Sequence, residues 1–172
     1  MRHLISLAIL FILLISCKSK SIPNADFFEE NQAVNLYAFI GEKIEINEIN
    51  TDRVWKEYDS ITGDTITKKS IAMDLAFNAK YKVLKNVYNI LPNDTVSFKV
   101  FDHYGRPGFE DDKYVLLYIS KYNDSEDFYH QKYQYDPMQK VGVNWRGLNG
   151  ENLEKIFDEK RKGVLMARGI FN

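Results

Sequence analysis

The chain has 172 residues, with 23 Lys and Arg against 24 Asp and Glu and a formal net charge of −1. That length suits one domain around one core, and so even a charge balance provides no basic footprint for nucleic acid. Eleven Tyr and eleven Phe beside nine Gly and four Pro favour a β-rich domain. The single cysteine excludes an intrachain disulfide, so packing must supply the stability.

In chain order, Met1-Arg2-His3 is a short basic start, and residues 4–15 are apolar except for Ser6. This is the layout of a secretory signal peptide, and the run is shorter than the roughly 20 residues that span a bilayer. It ends at Leu14-Ile15-Ser16-Cys17, which resembles the lipobox of bacterial lipoproteins. The resemblance implies diacylglycerol on the Cys17 thiol, cleavage after Ser16 and acylation, for example with palmitate, of the new amine. Several acyl chains anchor stably where one binds only marginally. Lys18 directly after the anchor, with no aspartate there, is similar to lipoproteins sorted to an outer membrane. The expected organisation is a signal peptide at 1–16, a lipidated cysteine and flexible tether at 17–31, and one β-rich domain at 32–172. The expected location is the cell envelope, held to a membrane through Cys17.

Within the domain, Ile44-Glu45-Ile46 alternates as a half-buried strand does, and Gly41 marks a bulge or bend. Gly63-Asp64 suits a two-residue hairpin turn that faces Thr62 with Thr65, Ile61 with Ile66 and Asp59 with Lys68; this hairpin is expected to project from the body. Ile71, Met73, Leu75, Phe77, Ala79, Tyr81 and Val83 recur at every second residue, a long strand with one buried face. Pro92-Asn93-Asp94 is a turn, and Val96, Phe98 and Val100 alternate after it. Residues 114–119 form a continuous apolar run, read as a central strand. Tyr129, Tyr133 and Tyr135 predict another extended segment, and Val141, Val143 and Trp145 a further one. One helix is expected over about 150–162, capped by Asn149, with Leu153, Ile156 and Phe157 facing inward and Gly163 as its stop.

The expected fold is mainly β: a small antiparallel barrel with a projecting hairpin and one C-terminal helix. Residues 37–42, 81–88 and 96–98 carry a strand order similar to netrin-like domains, which implies an OB-type barrel over about 35–120. That family's disulfides are missing here. Its metalloprotease inhibitors ligate zinc through a free N-terminal amine, a mechanism that does not carry over to an acylated terminus.

Two groups of residues are candidates for function. In Asp102-His103-Tyr104-Gly105-Arg106, His103 suits a general base, Asp102 the group that fixes its tautomer, and Arg106 a fork for a carboxylate or phosphate. Adjacent residues of an extended chain face opposite ways, so the pair works only if the loop turns sharply, and the same residues suit a plain surface loop. Tyr129, Tyr133, Tyr135 and Trp145 suit an aromatic ligand-binding platform or barrel packing. His103, His130, Asp111 and Asp112 lack metal-ligand spacing, and neither metal nor cofactor is expected. The leading expectation is a non-catalytic binding module for an envelope protein or glycan. An envelope hydrolase or a structural assembly protein is the alternative.

Overall fold

The computed structural model describes residues 27–171; the leader and Cys17 lie outside them. The strands are β1 (Tyr37–Ile49), β2 (Arg53–Tyr58), β3 (Thr65–Ser70), β4 (Leu75–Tyr88), β5 (Thr95–Asp102), β6 (Tyr114–Lys121), β7 (Phe128–Val141) and β8 (Asn144–Gly147), followed by helix α1 (Leu153–Lys160). The main sheet runs β5-β4-β1-β6-β7-β8. A parallel seam, Phe98 opposite Phe128 and Lys99 opposite Tyr129, joins β5 to β7 and closes five strands into an OB-like barrel. Closure removes the unpaired edges that an open sheet would expose.

The burial pattern explains the sequence periods. Phe77, Ala79 and Tyr81 of β4 point into the barrel with Phe39, Phe98, Val100, Leu117 and Ile119, while Asn78, Lys80 and Lys82 stay exposed. β6 is apolar from Tyr114 to Ile119 because both its faces are covered. Val115, Leu117 and Ile119 face the barrel interior; Leu116 and Tyr118 face a second core with Leu153, Ile156 and Phe157 of α1. Gly41 sits where β1 bends against β4 and the register shifts. A Cβ there would lie 2.9 Å from both Phe39 and Tyr81, so the bend needs glycine.

Three expectations are corrected. The hairpin forms, but Tyr58 faces Thr65 and Glu57 faces Ile66. The Asp59 carboxylate accepts from the backbone N–H of Ile61 at 2.8 Å and of Thr62 at 3.3 Å. Its backbone bonds Gly63 and Asp64, and Gly63 takes a left-handed φ of 76°. This side-chain turn ends β2 at Tyr58, and Ile61, expected in a strand, sits at the tip, 93% exposed.

The helix is shorter than expected and is capped by Asn152, whose side chain accepts from Lys155 N–H at 2.8 Å. Asn149 bonds Glu151 instead. Gly163 kinks the chain within a wider π-type turn over Arg161–Leu165, and helical geometry returns at Met166.

Residues 27–31, expected in the flexible tether, pack on the domain. Phe27 lies 5.7 Å from the Phe157 ring, and Glu29 pairs with the end of β4 through Val87 and Asn89. Asn89, buried with φ 53°, accepts from Asn31 N–H at 2.8 Å. Its amide donates toward the carbonyls of Leu36 (2.8 Å), Asn31 and Val34. Arg161 pairs with Glu29 and lies over the rings of Phe157, Phe171 and Tyr88, tying the N-terminal segment to the C-terminal tail. Among the described residues no helix is long and apolar enough to cross a membrane.

Candidate functional site

The connection from β5 to β6 carries the first group of candidates, and it does turn sharply. Asp102 is buried, and its carboxylate accepts from Tyr104 N–H at 2.8 Å, so it is spent on the turn. The partner of the His103 ring is Asp74, 29 residues earlier. His103 Nδ1 lies 3.2 Å from both the Met73 carbonyl and Asp74 Oδ1. Both are acceptors, so Nδ1 carries the proton, and Nε2 has no hydrogen bond among the described residues. The other Asp74 oxygen accepts from Lys132 Nζ at 2.6 Å. The Lys132 bond, followed by the Lys132 charge and His103, holds the Asp74 carboxyl below its usual range.

Arg106 is committed elsewhere. Its guanidinium forks onto both oxygens of Glu110, donates to the Ile46 carbonyl at 3.2 Å and covers the Phe77 ring. The hydrogen bond from Arg106, then its charge, holds Glu110 below the usual carboxylate range. The strap fixes the loop so that Phe109, fully buried, plugs the barrel against Tyr81, His130 and Tyr135. Asp102, His103 and Arg106 are therefore not brought into one pocket. Among the described residues no Ser or Thr hydroxyl is hydrogen-bonded to His103, and no group of three or more His, Asp or Glu is placed to hold a metal ion.

The four aromatics of the second group also separate. Tyr129 pairs with Tyr122 at 4.7 Å, Tyr135 with Phe109 at 5.5 Å, and Trp145 with Tyr114 at 5.1 Å. Of the four, Tyr133 is the one that meets His103 and Tyr104. Its hydroxyl accepts from His103 N–H at 3.4 Å, and its ring lies 6.1 Å from that of Tyr104.

Tyr133 is displayed by a bulge in β7. Leu117 pairs with Tyr135 but Ile119 pairs with His130, so four β7 residues stand opposite Tyr118 alone. Tyr133 takes φ 64°, a conformation that costs a bulky residue of order 1–3 kcal/mol. Two contacts hold the bulge. Buried His130 donates through Nε2 to the Gln134 carbonyl at 2.8 Å, and Arg168 bonds Gln131 Oε1 and the Lys132 carbonyl. Burial, outweighing the Gln134 bond, lowers the His130 pKa to about 4.

Comparison with protein-family models, with curated proteins and with solved structures finds no match to this chain.

The exposed apolar side chains concentrate on the hairpin and at its base. On β2 and β3 every residue is exposed, including Val54, Trp55, Tyr58 and Ile66. Beyond β3 come Ile71 and Met73, the latter 84% exposed, and beside Met73 stand His103 and Tyr104, the latter 86% exposed. This end was hard to foresee. Asp74 and Met73 read as members of a continuous strand, and nothing in the tyrosine spacing of β7 announces its bulge.

Proposed function

We propose that the protein is a lipid-anchored lipoprotein of the cell envelope, held through Cys17, that binds an envelope partner through the β2–β3 hairpin and the Met73–His103–Tyr104–Tyr133 patch at its base. The observation that carries the reading is the placement of apolar surface. Monomeric proteins rarely leave such patches contiguous, and an isolated two-stranded hairpin is marginal in water. Here the hairpin leads into one end of β4, while the N-terminal segment from the proposed anchor joins the other end, at Val87 and Asn89. An anchor at Cys17 therefore leaves the hairpin free to reach a partner. OB-type barrels also bind through the loop between their first two strands, the place this hairpin occupies.

Crosslinking in native cells tests the reading. Expected is one envelope protein or glycan recovered repeatedly, and lost in a Trp55→Ala/Ile61→Ala/Tyr104→Ala variant. Cys17→Ser should release the protein from the membrane fraction and abolish palmitate labelling. Retention of the partner by the triple variant, or of the label by Cys17→Ser, would overturn the corresponding half.

A second reading, an envelope hydrolase with His103 as general base, is favoured by one observation: Asp74 orients the ring through Nδ1, and Nε2 has no hydrogen bond among the described residues. Hydrolysis of an envelope ester or amide that vanishes in His103→Ala would select it.

A further inference from the structure

A cleft of about 520 Å³ lies away from the hairpin, between β7, the loop from β8 to α1, and α1. Gln134 and Asp136, two residues apart on β7, face it from the same side of the strand. Asp136 accepts from the buried Tyr118 hydroxyl at 3.0 Å and lies 3.3 Å from Lys160 Nζ. Gln134 is 8% exposed. Its amide N–H donates to the Lys132 carbonyl at 3.3 Å, but among the described residues its side-chain oxygen accepts no hydrogen bond. Gln134 is one of the residues that line the cleft. Glu151 and Glu159 stand at the rim with Asp136 below, against Lys160 as the sole cation of the lining.

The walls are aliphatic, formed by Pro137, Leu148, Ile156 and Val164. An unpaired acceptor on a nearly buried residue, beside a carboxylate in a net-negative apolar cleft, is complementary to a donor-only cation on an aliphatic stem. A primary ammonium has three donors and no acceptor, and the volume falls in the range of small-ligand sites.

We infer that this cleft binds a small primary amine, with its ammonium bonded to Asp136 and the Gln134 side-chain oxygen and its alkyl stem against Ile156 and Val164. The bound ammonium competes with Lys160 for Asp136, so removing Lys160 strengthens binding.

The test uses the full chain in detergent micelles at pH 8, with methyl-labelled Ile, Leu and Val, titrated with n-butylammonium chloride and, separately, sodium butyrate. Expected are saturable shifts of the Leu148, Ile156 and Val164 methyls with butylammonium and none with butyrate. Asp136→Asn should weaken binding about tenfold, the effect of one charge-assisted hydrogen bond, and Lys160→Met should tighten it. Glu159→Gln, at the exposed rim, should weaken it slightly, and it decides the question with Lys160→Met if Asp136→Asn loses the folded spectrum. Absence of saturable shifts, an equal response to butyrate, or an affinity unchanged across the folded variants overturns the proposal.

Discussion

The two antiparallel ribbons that meet near Leu75 are made of similar residues and behave as opposites. In the β1–β4 pair the side chains of one face, Phe77, Ala79 and Tyr81, are buried in the barrel. In the β2–β3 pair the apolar residues Val54, Trp55, Tyr58 and Ile66 fall on both faces, and both faces stay in solvent. Trp55 stands opposite Lys68, and Glu57 pairs with Lys68 at the surface. Forming a strand thus does not by itself bury a face; the face is settled by whether a second layer lies over it. Where none does, the apolar side chains are available to another molecule.

The contrast can be broken from the body outward. The largest effect is expected from Phe157→Ala, which empties the centre of the second core and should lower stability by about 3–5 kcal/mol in denaturant unfolding. Acid should act next, through His130. Its folded pKa of about 4 lies below the ordinary 6.5, so as pH falls the unfolded chain takes the proton first. Stability present above pH 6.5 is therefore lost progressively toward pH 4, by about 3 kcal/mol. Unfolding curves across that range check it, and His130→Gln should flatten the slope.

Asn89→Ala should cost about 2 kcal/mol, because it strips bonds from the buried segment that holds residues 31–36, and it should raise hydrogen exchange at Leu36. The hairpin should show the smallest effect. Trp55→Ala and Ile66→Ala should change stability by less than about 0.5 kcal/mol while weakening capture of the partner. A hairpin substitution as costly as Phe157→Ala would mean that the hairpin packs on the body.

The sequence announced what depends on period. The β4 alternation and the doubly buried β6 follow from which residues are apolar and how they are spaced, and the OB-like ring is what the resemblance to netrin-like domains implied. Features set by one polar side chain reaching its neighbours were not legible. Asp59 shifts the hairpin register by rewiring its turn, and Asn152 rather than Asn149 caps α1, because several residues in each stretch can make such bonds. The candidate site depended on contacts across the fold. His103 was matched with its neighbour Asp102, but its ring meets Asp74, which strand pairing brings near because Leu75 lies opposite Asp102. Likewise Gln134 gains its place in the cleft only through the bulge closed by His130.

The position of β1 also gives the molecule a load path. The N-terminal segment grips the end of β4 through Glu29, and β1 runs on from that segment to the hairpin at β2. Tension between a membrane anchor and a partner held on the hairpin would run along the backbone of β1. That strand is already extended, at about 3.3 Å per residue, so it has little length to give, and its ladders to β4 and β6 would not be peeled apart. Such a domain would lengthen first by releasing the Glu29 grip and would then pass the pull through covalent bonds.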